Sequence, residues 1–107
     1  MVKIGIVGYT PLNGHPYSFG CIINGFNKKT KINDYPQIES YLKENLDYKD
    51  GIKGMECTHV FCENKERTEN IASTINAIPI SNILEFPKNL DLILIKFFDN
   101  FWLFLLI

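Results

Sequence analysis

An α/β fold, a partial doubly wound parallel sheet of about four strands, is the architecture these 107 residues predict. Three observations carry the expectation. The chain opens on Val2-Lys-Ile-Gly-Ile-Val7, a short β-branched apolar run suited to a strand buried on both faces. A glycine-bearing loop and a stripe of apolar residues at helical spacing follow. Strand-like runs and amphipathic helical stretches then alternate, and such alternation predicts parallel strands joined by crossovers.

Each element has its own signal. The first strand ends at Gly8, and Gly8 to Ser18 reads as a loop with two prolines and two glycines. Ser18 to Phe26 predicts a helix, because Phe19, Ile22, Ile23 and Phe26 fall at i, i+3, i+4 and i+7. Pro16 lies near its start and Gly25 near its end. Asn27 to Lys53 is more polar and reads as a surface insertion after the first helix, with domain bounds of 27–56. Inside it, Gln37 to Asn45 predicts a helix with Ile38, Tyr41 and Leu42 facing inward. Thr58-His-Val-Phe-Cys62 is a second strand, and Glu66 to Asn76 a helix with Ile71, Ala72 and Ile75 as its apolar stripe. Ile78-Pro-Ile80 is a short extended piece, Leu84 to Leu90 a loop with a helical turn, and Leu92-Ile-Leu-Ile95 a fourth strand. The order fits the first half of a Rossmann-type dinucleotide-binding domain over residues 1–95. Residues 96–107, ending Phe101-Trp-Leu-Phe-Leu-Leu-Ile107, form an apolar tail that reads as aberrant.

Composition narrows the function classes. A formal net charge of −1 and the lack of any basic run argue against nucleic acid as a partner. The terminal apolar run is too short for a span of about 20 residues unless Asp91, Lys96, Asp99 and Asn100 are buried with it, which argues against a membrane. Three cysteines, Cys21, Cys57 and Cys62, without C-x-x-C spacing, read as reduced packing thiols of a cytoplasmic protein, with no metal site. An exposed strand edge and the apolar tail together predict self-association.

Ligands of open parallel sheets bind beyond the carboxyl ends of the strands. The loop after the first strand therefore holds the first candidates: Gly8, Tyr9, Thr10, Asn13, Gly14, His15 and Ser18. Gly8 permits a sharp exit from the strand, and Gly14 permits close approach of backbone to a phosphate. Asn13 and His15 are candidate hydrogen-bonding groups, and Thr10 and Ser18 offer hydroxyls. The helix start is expected to hold free N–H groups and a positive dipole end for a pyrophosphate. The spacing is G-x5-G, longer than the G-x-G-x-x-G fingerprint. At the end of the second strand Glu63 is the carboxylate for a ribose diol, whereas Asn64, Lys65 and Arg67 are candidates for a 2′-phosphate, so NAD and NADP both stay open as the cofactor. The interval from glycine loop to acid exceeds the usual ~20 residues because the insertion intervenes. No catalytic residue is assigned, because neither His15 nor His59 forms a Ser/His/Asp or Cys/His arrangement.

The run Val2 to Phe19, with Asn13-Gly-His-Pro-Tyr-Ser-Phe19 at its centre, continuing through Cys21-Ile-Ile-Asn-Gly-Phe26, resembles the start of a branch of the glucose–fructose oxidoreductase/inositol dehydrogenase (Gfo/Idh/MocA) family. Thr58-His-Val-Phe61 and the helix after it continue the likeness. The resemblance implies the N-terminal cofactor domain of an NAD(P)-dependent sugar or polyol oxidoreductase. In such enzymes a lysine of a Glu-Lys-Pro motif and a second domain complete the chemistry. These 107 residues contain neither, and Lys96 to Ile107 look like a frameshifted or truncated reading. The chain alone is therefore expected to bind nucleotide without turnover.

Overall fold

The computed structural model describes residues 1–98 and 101–106, with side-chain contacts described through residue 95. It is α/β. Strands β1 (Val2–Val7), β2 (Met55–Phe61), β3 (Ile78–Pro79), β4 (Leu92–Phe98) and β5 (Phe101–Leu106) form one sheet in the order β3-β2-β1-β4-β5. The first four are parallel, and their order is that of the first half of a Rossmann sheet. Helices α1 (His15–Asn24), α2 (Pro36–Glu44) and α3 (Lys65–Ile75) occupy the connections, with 3-10 turns at Leu46–Tyr48 and Ile83–Glu85.

Alternation along β1 sets the two faces. Ile4 and Ile6 point to one side, where they join Cys57 and Val60 of β2 against Tyr17 and Cys21 of α1 and Ile71, Ala72 and Ile75 of α3. All nine are buried, and they form the centre of the core. The other face belongs to Gly5 and His59. A Cβ on Gly5 would lie 2.5 Å from Phe86 Cε1 and 3.0 Å from Leu90 Cδ1, so the connection from β3 to β4 presses directly on the strand. The winding is thus lopsided, with helices on one face and an irregular segment on the other. The register slips between Ile4, opposite Cys57, and Gly5, opposite His59. Thr58 falls in the slip, and its hydroxyl reaches Ile4 O at 3.5 Å. The start of β4 is stitched to β1 by Asp91, whose N–H donates to Lys3 O and whose carboxylate accepts from Lys3 N–H, both at 2.8 Å.

Several bounds differ from the sequence reading. Helix α1 begins three residues early, at His15, because Pro16 occupies its first turn. Its stop at Asn24 leaves the buried Phe26 beyond the helix. Strand β2 begins at Met55, so the insertion ends at 54 and not 56. The insertion is more than a surface excursion, since Ile32 and Leu42 are part of the core. Its helix packs by Leu42 and, in part, Ile38, whereas Tyr41 is 49% exposed instead of facing inward. Glu39 closes the segment on itself: its carboxylate accepts from Ile32 N–H at 2.7 Å and pairs with Lys43 at 3.0 Å. Residues 96–98 prolong β4, and 101–106 return antiparallel along it, so most of the expected tail is sheet and the outer edge of β4 is occupied. The remaining tail positions, 99, 100 and 107, lie outside the described residues.

Asn24, the last residue of α1, ties three elements together. Its amide Nδ2 donates to Cys57 O and to Ile75 O, each at 2.9 Å, and its Oδ1 accepts from Cys57 N–H at 2.7 Å. Asn24→Ala strands three partly buried backbone groups, each worth about 1–3 kcal/mol when left unpaired. We expect a loss of about 3 kcal/mol, seen as a lower urea midpoint with an unchanged m value. Asn24→Asp retains the acceptor, lacks both donors, and should also destabilise the fold.

Candidate functional site

The carboxyl ends of the parallel strands open onto two adjoining hollows. One, about 740 Å³, is lined by Val7, Gly8 and Tyr9 at the end of β1, Phe61 to Asn64 at the end of β2, Arg67 of α3 and Ile95 of β4. It sits where the strand order reverses, β1 having β2 on one side and β4 on the other. The second, about 350 Å³, lies between the ends of β2 and β3 and shares Phe61, Cys62 and Glu63 with the first. Together they make a groove running across the strand ends from β3 to β4.

The candidates do not all reach this groove. Gly8 leaves β1 with φ +93°, a conformation that suits glycine, and it lines the groove with Tyr9. Glu63 and Asn64 are exposed at the end of β2, and Glu63 borders both hollows. Asn64 also caps α3, its side chain accepting from Arg67 N–H at 2.8 Å. Thr10 and Asn13 close the loop on itself, with Asn13 N–H donating to Thr10 O at 3.1 Å. Ser18 Oγ turns back to His15 O, and the His15 ring stacks on Phe19 at 5.2 Å.

The start of α1 is not the open anion site that the sequence predicts. His15 N–H donates to Asn13 Oδ1 at 3.1 Å. Pro16 has no N–H, and those of Tyr17 and Ser18 both go to Gly14 O. Gly14 itself is buried: a Cβ there would lie 2.4 Å from Ile38 Cδ1 and 2.8 Å from Tyr35 Cγ. Its missing side chain makes room for the insertion, not for a phosphate.

The positive charge lining the larger hollow comes from Arg67, the single arginine of the chain. Its Nη1 donates to Asp34 Oδ2 at 2.7 Å and to Tyr17 O–H at 3.0 Å, and its guanidinium carbon stands 4.7 Å from the Tyr9 ring centre. Tyr17 O–H donates to Asn70, and the hydroxyls of Tyr9 and Tyr35 are hydrogen-bonded. Burial works to lower the Arg67 pKa, but the bonds to Tyr17 and Asp34 outweigh it and hold the group raised and charged. Burial pushes the Tyr17 and Tyr35 hydroxyls up, Tyr35 also through its bond to Tyr9, so both stay protonated. Asp34, Tyr35 and Tyr17 are not among the site candidates that the sequence offers. Only the tertiary fold brings residues 17, 34 and 67 together.

Two of the three thiols are kept protonated by burial. All three cysteines are buried and unpaired by disulfide, and burial pushes Cys21 and Cys57 up to about 12. Cys62 Sγ sits 3.1 Å from Thr68 Oγ1. Among the described residues no cluster of three or more His, Cys, Asp or Glu can hold a metal, and no helix is long and apolar enough to cross a membrane.

Two outcomes follow. Gly14→Ala forces Tyr35 and Ile38 apart from α1, and it should speed trypsin cleavage after the exposed Lys28, Lys29 and Lys31 while costing about 1–3 kcal/mol of stability. His59, whose Nδ1 lies 2.8 Å from Thr58 Oγ1 and whose ring faces Phe86, has its pKa lowered by burial. The unfolded chain therefore binds the extra proton first, and stability declines as pH falls below about 6.5. His59→Gln should flatten that decline, measured by urea unfolding between pH 7 and 5. Comparison with protein-family models, curated proteins and solved structures finds no match for this chain.

Proposed function

We propose that the chain binds a dinucleotide, NAD or NADP, across the carboxyl ends of β1, β2 and β4, as the cofactor-binding part of an oxidoreductase resembling the Gfo/Idh/MocA family. The observation that carries this reading is the groove at the reversal of strand order, the position where open parallel sheets accept such ligands. Glu63, exposed at the end of β2, is the group we assign to accept from a ribose diol. The diphosphate is assigned to the Arg67 side of the groove, beside Gly8 and Tyr9, because the amides starting α1 are already bonded. A cytoplasmic setting, where both cofactors are plentiful and thiols stay reduced, accords with three unpaired cysteines.

A second reading is a nucleotide-binding or interaction module without enzymatic activity. It is favoured by the groove lining, in which the described residues include no histidine to pair with Glu63 for proton transfer. The readings separate by assay: oxidation of a sugar or polyol coupled to NAD(P) reduction by the purified chain would exclude the module.

Binding itself is tested by titrating the chain with NADH and with NADPH and following nucleotide fluorescence. Saturable binding of at least one is expected. Glu63→Gln should weaken NADH binding roughly ten-fold or more, since a hydrogen bond to a charged acceptor is worth about 1.5–3 kcal/mol, and should not weaken NADPH binding, which presents a 2′-phosphate in place of the diol. Absence of saturable binding for both nucleotides would refute the proposal.

A further inference from the structure

The Arg67–Asp34 contact has an arrangement suited to exchange. Arg67 is largely covered, with 24% of its side chain exposed, and it borders both the large groove and a smaller hollow of about 310 Å³ that Asp34 helps to line. Asp34 is 61% exposed and arrives from the insertion, just before α2. The carboxylate meets Nη1 alone, on the same nitrogen that bonds Tyr17, so the guanidinium fork is not used in its two-bond mode. A covered cation left without an anion is costly, whereas an exposed carboxylate released to water loses little.

We propose that Asp34 is a built-in competitor for an anionic ligand at Arg67, a phosphate or diphosphate group in the groove taking the place of the carboxylate. The inference rests on the nucleotide reading and adds to it a residue that sets affinity from outside the groove. Binding and docking of the insertion are then linked. The anion that takes Arg67 releases Asp34, and by reciprocity any change that detaches Asp34 strengthens the anion's hold. The same competition would weaken ligands that carry no phosphate far less.

Calorimetric titration with inorganic pyrophosphate tests this on the whole chain. Asp34→Asn should bind pyrophosphate roughly two- to five-fold tighter than the unaltered chain, the range for an exposed ion pair. Asp34→Ser should behave alike, which guards against an effect peculiar to one side chain. Arg67→Gln should weaken binding in either background and abolish the gain from Asp34→Asn, because the two residues act on one contact. Equal or weaker binding by Asp34→Asn, where the unaltered chain does bind, would overturn the role of Asp34 and leave the nucleotide reading standing. A gain that persists with Arg67→Gln would also overturn it, since removal of negative charge would then act at large. No binding by any of these proteins would overturn both readings.

Discussion

Enclosure of β1 on all four sides is the constraint on which the rest of the structure depends. Its two edges are paired, to β2 and to β4, and its two faces lie under α1 and α3 on one side and under Phe86 and Leu90 on the other. A strand so placed must be apolar where it meets helices and narrow where a chain segment presses on it. Ile4, Gly5 and Ile6 meet those demands in turn. Only its two ends stay uncovered, and at the carboxyl end the sheet opens into the groove. The location of the site is therefore a consequence of the core.

The insertion changes what that site can be. In a bare strand-loop-helix unit the first turn of the helix presents N–H groups and a positive dipole end to solvent. Here Asn13, Gly14 O and the absent N–H of Pro16 account for the first four positions, and Tyr35 and Ile38 lie over Gly14. Positive charge in the larger hollow is supplied by Arg67, one helix away and held by Tyr17 of α1, Tyr9 of the loop after β1 and Asp34 of the insertion. Under the proposed reading, the group that meets an anion is then a side chain and not the backbone of a helix start.

The polar cluster around Arg67 also explains how a charged segment docks on an apolar core. Tyr9, Tyr17 and Tyr35 present rings to their neighbours and hydroxyls to one another, to Asn70 and to the guanidinium. Among the described residues no buried side-chain polar atom lacks a partner. Satisfied networks of this kind are rigid while complete and costly when a member is removed. Asp34 is 61% exposed, more than its partner Arg67 at 24%.

Local patterns in the sequence determined the elements. Short apolar, β-branched runs marked β1 and β4; helical spacing marked the buried face of α3; the alternation of strands and helices indicated a parallel sheet. These signals are legible because each element buries a face whose period is set by its own backbone. Glu63 at the end of β2 and Gly8 at the end of β1 were legible for the same reason, being fixed by the strands they end. Tertiary structure alone decided the rest. Gly14 has the look of a phosphate-loop glycine, but its neighbours come from residues 35 and 38. Arg67 has the look of a free cation, but its partners come from residues 17 and 34. Residues 101–106 have the look of a tail, but they pair with β4. Contacts between segments far apart in the chain leave no periodicity in either segment, so no local pattern could have announced them.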